Sequence, residues 1–240
     1  MNVPVEAKPV SKYIPSTENY DVYAGVRVKG KADANKNFTY SSSLIEHFEE
    51  YGKNINIADD ATIRGNRGSL NFDDEGVPGQ RTLMVENGIL TSYLHDRISA
   101  KFYGVAPTGN GRRESFRSSP IPRMRATYME SGNAEPEGII ASVSKGIYVN
   151  EFSNGQVKIG EGDFTFFVKS GFLIENGKLT TPVKDINVIG NGPQALKDIV
   201  AVGNDCVIDD SAWTCGKGQS VPVCCGMPTV LINNLTVGGE

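Results

Sequence analysis

The sequence predicts an α+β protein built mainly on antiparallel β-sheet, with a few short helices. Three Asn-Gly dipeptides lie between apolar or alternating runs, at Asn87-Gly88, Asn154-Gly155 and Asn176-Gly177. Tight hairpin turns favour this dipeptide because both residues tolerate positive φ. The helical patterns between them are short, and 240 residues suffice for one large β-rich domain or two small ones.

Residues 1–53 are predicted to form an N-terminal segment of one strand and one short helix. The stretch NYDVYAGVRVKG (19–30) alternates apolar and polar residues, which is the period of a half-buried strand. The stretch SSSLIEHFEEYGK (41–53) places apolar side chains on one helical face behind a serine N-cap. Gly52 stands where such a helix would end.

Residues 54–240 are predicted to form the main domain, which contains the three hairpins. Two stretches in it have helical character, EPEGIIASVSKGIYV (135–149) and NGPQALKDIVAVG (191–203). Each has an acidic or proline-containing start and a glycine beyond its apolar face, as helices commonly do.

The overall charge excludes several classes of partner. The net charge is −4, with lysines, arginines and carboxylates mixed along the chain, so no basic stripe predicts nucleic-acid or membrane binding. No apolar run is long enough to span a bilayer, and the first residues lack the order of a secretory signal. These features predict a cytoplasmic protein.

A glycine- and arginine-rich stretch, APTGNGRRESFRSSPIPRMR (106–125), is a candidate binding loop. The run Gly109–Gly111 could aim main-chain N–H groups at an anion, and Arg112, Arg113 or Arg117 could clamp a carboxylate or phosphate. The stretch lacks the pattern of a Walker or dinucleotide motif. A surface turn followed by solvated arginines is the alternative.

Acidic and histidine residues give weaker metal candidates. Asp73, Asp74 and Glu75 could hold a hard cation, although their spacing matches no calcium loop and a solvated strand end is the simpler interpretation. His47 and His95 each lack a second histidine at helical spacing. His47 is therefore predicted to be an exposed helix residue, and His95 a residue on a sheet face.

The four cysteines lie late in the chain, at Cys206, Cys215, Cys224 and Cys225, which suits reduced thiols better than a disulfide framework. Their spacing is not that of a zinc ribbon or a CxxC centre. Cys215 lies in TCGKGQS (214–220), where nearby Lys217 could activate a thiol. From these residues alone, buried inert thiols remain the simplest interpretation.

From about Ile57 onward the chain resembles the C-terminal half of the TldD/PmbA family, the TldD branch more closely than the PmbA (TldE) branch. The resemblance is carried by several long segments in the same order, among them DDATIRGNRGSLNFDDEGVPGQ, VENGILTSYLHDRISAKFYGVAPTGNGRRES, GIYVNEFSNGQVKIGEGDFTF and VGNDCVIDDSAWTCGKGQSVPVCCGMPTV. Residues 1–53 do not align with it.

The resemblance implies a strongly curved antiparallel sheet and a cytoplasmic zinc-dependent peptidase that acts on peptides or unfolded chains. It also implies pairing with a second family subunit, as a homodimer or a heterodimer. The family holds its zinc by two histidines of an HExxxH helix and by one cysteine, which corresponds to Cys215. The Arg-rich loop would lie by the same cleft and orient the peptide, through Gly109, Asn110, Gly111, Arg112 and Arg113.

This sequence departs from the family in one respect, since it has no HExxxH and no His-Glu pair. Cys215 alone cannot hold a catalytic zinc. The 240-residue chain is therefore expected to bind no stoichiometric zinc and to show no peptidase activity. Three explanations stay open: a fragment of a longer gene, which intact TCGKGQS favours; a non-catalytic PmbA/TldE-like subunit; or a sheet that captures extended peptides by strand addition.

Overall fold

The computed structural model describes residues 55–158, 161–209 and 213–238, and the backbone of four short strands before them. These are β1 Asp21–Tyr23, β2 Val26–Val28, β3 Gly30–Ala32 and β4 Phe38–Tyr40, in two antiparallel pairs, β1–β2 and β3–β4. Two short paired strands thus replace the single strand predicted over 19–30. The sequence places Gly25 between them, and glycine weakens a continuous strand. The helix predicted over 41–53, with His47, lies outside the described residues.

The remaining elements alternate many short strands with three short helices. Those up to residue 142 are β5 Ile57–Asp60, β6 Arg81–Glu86, β7 Ile89–Leu90, α1 Arg97–Tyr103, β8 Gly111–Arg112, β9 Ile121–Pro122, β10 Ala126–Met129 and α2 Pro136–Ser142. Those after it are β11 Lys145–Val157, β12 Asp163–Glu175, β13 Lys178–Val183, β14 Ile186–Asn191, α3 Gly192–Lys197, β15 Ile199–Val202, β16 Val207–Asp209, β17 Thr214–Gly216, β18 Ser220–Pro222, β19 Cys224–Met227, β20 Val230–Ile232 and β21 Thr236–Gly238. Among the described residues, no helix is long and apolar enough to cross a membrane.

The chain divides into two compact units. Unit 1 contains residues 55–131 and 206–228 together with β3 and β4, and unit 2 contains residues 132–205 and 229–238 together with β1 and β2. The fold class, mainly antiparallel sheet with a few short helices, agrees with the prediction.

Unit 1 is organised around a sheet with strand order β16-β19-β10-β5-β6-β7. Its pairs are antiparallel except β10 with β19, which run parallel. Asn87 and Gly88 have φ of 51° and 80° and join β6 to β7, so the first predicted hairpin is confirmed. The apolar core beneath this sheet includes Ala58, Met84, Val85, Ala126 and Cys224.

Unit 2 is organised around an antiparallel sheet with strand order β11-β12-β14-β21, in which β13 also pairs with β12. Asn176 and Gly177 have φ of 51° and 76° and join β12 to β13, which confirms another predicted hairpin. Its buried apolar residues are Ile139, Val168, Ile174, Val188, Ala195 and Ile199.

The hairpin predicted at Asn154-Gly155 is wrong. Both residues lie inside β11 and pair with Phe167 and Phe166 of β12. A Cβ on Gly155 would lie 2.0 Å from the ring of Phe166, so the glycine leaves room for that ring. The turn that connects β11 to β12 instead includes Gly162, which has φ of 80° and whose amide donates to the Lys158 carbonyl at 2.9 Å.

The two predicted helices exist but end early. Helix α2 ends at Ser142, and α3 ends at Lys197, each a few residues before a strand begins. The residues that follow are rich in β-branched side chains, which favour strand over helix. Helix α1 was not predicted, although Asp96 caps it and Gly104 ends it with φ of 69°.

Candidate functional site

Cys215 lies on a small hairpin of unit 1 formed by β17 and β18, where it pairs with Val221. The turn between the strands contains Gly218 with φ of 69°, and the Lys217 amide donates to the Gln219 carbonyl at 3.1 Å. The Cys215 side chain is half-buried. The hairpin therefore holds a partly accessible sulfur close to a tight turn.

A buried arginine holds this hairpin from beneath. Arg123 is 1% exposed, and its Nη2 donates to the carbonyls of both Cys215 and Gln219, the latter at 2.8 Å. Its Nε lies 3.4 Å from the Cys215 sulfur. One guanidinium thus contacts both sides of the turn and the sulfur itself.

Three further hydrogen bonds join the hairpin to the Arg-rich loop. Lys217 Nζ donates to the Pro122 carbonyl at 3.2 Å. The Gln219 side chain donates to the Ser119 carbonyl at 2.9 Å and accepts from the Glu114 amide at 2.9 Å. The structure therefore brings together the two stretches that the sequence marked separately, TCGKGQS and APTGNGRRESFRSSPIPRMR.

The Gly109–Gly111 run is packed into unit 1. Gly109 has φ of 74°, and a Cβ on it would lie 2.4 Å from the Pro78 carbonyl oxygen. The buried Asn110 side chain donates to Asp59 Oδ2 at 2.7 Å and to the Arg123 carbonyl at 2.8 Å. The run therefore links the central sheet to the residue that holds the Cys215 hairpin.

The arginines of the loop differ in their surroundings. Arg112 is buried and donates to the Met124 carbonyl, and Arg125 is buried and donates to the Gly109 carbonyl. Burial, with the neighbouring Arg125 charge next, lowers the pKa of Arg112 to about 10. Arg113 is half-buried and forms an ion pair with Asp74, whereas Arg117 is exposed over the ring of Phe116.

The acidic stretch Asp73–Glu75 binds main-chain groups. Asp73 Oδ1 accepts from the Glu75 and Val77 amides, and its Oδ2 accepts from the Gly111 amide at 3.0 Å. Glu75 accepts from the Arg97 amide at 2.7 Å. These carboxylates fix the loops around the site in the way that capping residues fix a helix end.

Asp59 on β5 is the buried carboxylate of this region. It is 1% exposed and accepts hydrogen bonds from the Arg125 amide, the Thr127 hydroxyl and the Asn110 side chain, at 2.8, 2.6 and 2.7 Å. Burial raises its pKa, while these bonds and the Arg125 charge oppose that shift.

His95 does not lie on a sheet face as predicted; it precedes α1 and is buried. Its ring packs against Tyr93 and Tyr103 with centroids 6.0 and 5.5 Å away, and its Nδ1 lies 3.2 Å from Ser99 Oγ. Burial lowers its pKa. Within residues 55–158, 161–209 and 213–238, no three His, Cys, Asp or Glu side chains converge as a metal ion would require.

The other cysteines have different environments from Cys215. Cys224 is fully buried, and Cys206 Sγ donates to the Met129 carbonyl at 3.0 Å. Burial raises the pKa of the Cys225 thiol to about 11, which disfavours a thiolate there. None of the four forms a disulfide in the described part of the chain.

Arg123, Asp59 and Gln219 were not predicted to belong to the site. A signal for Arg123 was present, since Arg123 and Arg125 alternate around Met124 and so share one side of an extended segment. Pro122 before Arg123 also disfavours a helix there. Asp59 and Gln219 carry no comparable local signal, because their partners lie far away along the chain.

The sheets of this fold and the hairpin of Cys215 are those of a metallopeptidase C-terminal domain. Residues 49–239 match the family described as PmbA/TldA metallopeptidase C-terminal domain, and the chain belongs to that family. It is 48% identical over 184 residues to a protein of Buchnera aphidicola named metalloprotease TldD homolog, covering 76% of this chain and 38% of that protein. It is 34% identical over 187 residues to a Saccharolobus solfataricus protein named zinc metalloprotease TldD homolog, covering 77% and 42%.

The fold is also shared with a solved structure. The crystal structure of TldE from Thermococcus kodakarensis matches with a TM-score of 0.64 at 22% identity, over 80% of this chain and 41% of that one. The family resemblance read from the sequence is confirmed by the family match over residues 49–239 and by the Buchnera relative. The chain spans about two fifths of the length of the relatives it matches, since it covers 38% of the Buchnera protein.

Proposed function

We propose that this chain forms the cysteine-bearing C-terminal part of a TldD-type zinc metallopeptidase that hydrolyses peptide bonds in peptides or unfolded chains. The observation that carries the proposal is the hairpin of Cys215, whose half-buried sulfur is held beside the Arg-rich loop by Arg123. The names of the Buchnera and Saccharolobus relatives, metalloprotease and zinc metalloprotease, support the activity and the metal.

The described residues do not make a complete zinc site. Catalytic zinc takes three protein ligands and keeps one position open, and no such group converges in the described part of the chain. Cys215 is therefore proposed as one ligand. The histidines and the glutamate of an HExxxH segment, which the sequence lacks, would have to come from another stretch of polypeptide.

The Gly109–Arg113 loop is proposed to border the peptide-binding cleft. Gly109, Asn110 and Arg112 bond inward, so their proposed role is to shape its wall. Arg113 is half-buried whereas the other members of this loop are buried, so it is the member best placed to contact a peptide, in exchange for its ion pair with Asp74. Pairing with a second family subunit and a cytoplasmic location complete the proposal.

A chimera tests the metal assignment. The matched 184-residue segment of this chain would replace the corresponding part of the Buchnera relative, and zinc content and peptide hydrolysis would be measured. We expect the chimera to bind zinc and cleave an unstructured peptide. Cys215→Ser should lower zinc affinity by more than about 100-fold. Removing a residue that only supports a metal ligand lowers metal affinity by about 10- to 100-fold, and removing the ligand itself should cost more.

Cys206→Ser is the matched control, because Cys206 lies in the same unit but its thiol bonds to Met129, away from the hairpin. Equal zinc affinity in the chimera and its Cys215→Ser variant would overturn the assignment. A folded chimera that captures the peptide without cleaving it would favour the alternatives, a PmbA/TldE-like subunit or a peptide-binding sheet. The 240-residue chain by itself is expected to hold no stoichiometric zinc.

A further inference from the structure

We propose that Arg123 is the positioning residue of Cys215: its guanidinium fixes the direction in which the sulfur points. This inference rests on the proposed function for its biological meaning, because a cysteine that serves as one of several ligands must present its sulfur in a defined direction. The contact itself can be tested without any metal.

The geometry of the contact supports this role. Arg123 Nη2 donates to the Cys215 carbonyl while Nε of the same planar group lies 3.4 Å from the Cys215 sulfur. Because one rigid plane contacts both the main chain and the side chain of Cys215, rotation about χ1 of Cys215 would break the sulfur contact. The third contact, from Nη2 to the Gln219 carbonyl at 2.8 Å, keeps the plane aligned with the turn.

Burial makes the arrangement specific to arginine. Arg123 is 1% exposed, and none of the ion pairs among the described residues includes it. A buried cation requires close polar partners, and the partners of this guanidinium all belong to the hairpin. Lysine carries a single ammonium on a flexible stem and cannot contact the three groups in one plane.

The backbone of Arg123 is also fixed, so the guanidinium has a firm base. The Arg123 amide donates to the Asn110 carbonyl at 2.9 Å, and the Asn110 side chain donates back to the Arg123 carbonyl at 2.8 Å. Asn110 in turn donates to Asp59 on the central sheet. A continuous series of hydrogen bonds therefore runs from β5 through Asn110 and Arg123 to the sulfur of Cys215.

Other residues fasten the hairpin without contacting the sulfur, and they separate positioning from general support. The Gln219 side chain makes two bonds to the Arg-rich loop, to the Ser119 carbonyl and from the Glu114 amide. Neither bond involves Cys215. Gln219→Ala is therefore the matched control: it loosens the hairpin and leaves Arg123 in place.

The experiment measures the rotamer of Cys215 in the full chain by NMR. Cysteine would be isotopically labelled, Cys215 assigned by its absence in Cys215→Ser, and its two Hα–Hβ couplings recorded. We expect the wild type and Gln219→Ala to show the couplings of one staggered χ1 rotamer. Arg123→Lys should lose that pattern and show two averaged couplings, because the sulfur then samples several rotamers.

Averaged couplings in the wild type, or an unchanged single rotamer in Arg123→Lys, would overturn the inference. Averaging in Gln219→Ala equal to that in Arg123→Lys would also overturn it, since hairpin support alone would then set the rotamer. If Arg123→Lys does not fold, Arg123→Gln, which keeps a planar amide donor, takes its place. None of these outcomes depends on zinc, so the inference and the metal assignment fail independently.

Discussion

Units 1 and 2 are stabilised in different ways. Every buried polar or charged side chain among the described residues lies in unit 1, including Asp59, Asp73, Arg123 and Arg125. The buried residues of unit 2 are apolar and lie on strands or short helices, as Val168 does on β12. Unit 1 thus adds a set of buried polar groups to its apolar core, whereas the described interior of unit 2 is apolar throughout.

The difference follows from how each unit satisfies its main-chain groups. Unit 2 contains two 13-residue strands that hydrogen-bond each other along their length. Unit 1 instead has long segments, 61–80 and 104–125, that are irregular apart from the two-residue strands β8 and β9, and most of their amides and carbonyls need other partners. Buried carboxylate, amide and guanidinium groups supply them. Loops that carry a candidate site therefore require a polar interior beneath them.

The largest expected effect comes from removing the central carboxylate of unit 1. Asp59→Ala should destabilise unit 1 by about 3–5 kcal/mol, because it removes a negative charge close to buried Arg125 and leaves three hydrogen-bond donors without the carboxylate that accepts from them. Chemical unfolding followed by the fluorescence of Trp213, the chain's single tryptophan and a residue of unit 1, measures this change.

Val168→Ala is the matched apolar substitution in unit 2, since Val168 is as buried as Asp59, at 1% exposed. It should destabilise unit 2 by about 2 kcal/mol, measured by amide exchange in β12 and β14. A loss in Asp59→Ala no greater than this would mean that the polar interior of unit 1 is not what stabilises it.

An intermediate effect is expected from a pair of glycine substitutions. Gly109→Ala in unit 1 should lower the free energy of unfolding by about 1–3 kcal/mol or more. The backbone φ of 74° is strained for alanine, and the new Cβ would lie 2.4 Å from the Pro78 carbonyl oxygen. Gly138→Ala, on helix α2 of unit 2, has open space and should raise stability by about 0.5–1 kcal/mol. Thermal unfolding of both variants is the measurement, and changes of the same sign would contradict the contrast between loop and helix.

Sequence patterns predicted the features of this fold that depend on neighbouring residues. Asn87-Gly88 and Asn176-Gly177 form turns because their own φ preferences suffice. Asn154-Gly155 has the same preference, yet it lies within a strand because the Phe166 ring occupies the space over Gly155. That contact depends on the register of two long strands, which no local pattern specifies.

The candidate site shows the same limit. Glycine and arginine content marked the Gly109–Arg113 loop and the family resemblance marked Cys215, and the structure brings their two segments together. Exposure was harder to predict, because solvated arginines and ligand-binding arginines look alike in sequence. Arg112 and Arg125 are neither, since they are buried and donate to main-chain carbonyls.

The smallest expected effect is a difference in pH response between wild type and His95→Gln. Burial lowers the folded-state pKa of His95 below its ordinary 6.5, so below that pH the unfolded chain binds the proton more readily. The stability that neutral His95 contributes is therefore complete above about pH 6.5 and falls as the pH drops toward the folded-state pKa. Asp59, whose pKa is raised, acts in the opposite direction, but both proteins contain it and its effect cancels in the comparison.

Unfolding of the two proteins at about pH 7.5 and about pH 5.5, followed by Trp213, measures this difference. We expect the wild type to lose more stability than His95→Gln between these values, because glutamine can bond to Ser99 but takes up no proton. Amide exchange in β12, corrected for intrinsic rates, should change equally in both, since His95 lies in unit 1. Equal pH slopes in the Trp213 signal would mean that His95 binds a proton as readily in the folded chain as in the unfolded one, so that its burial between Tyr93 and Tyr103 does not lower its pKa.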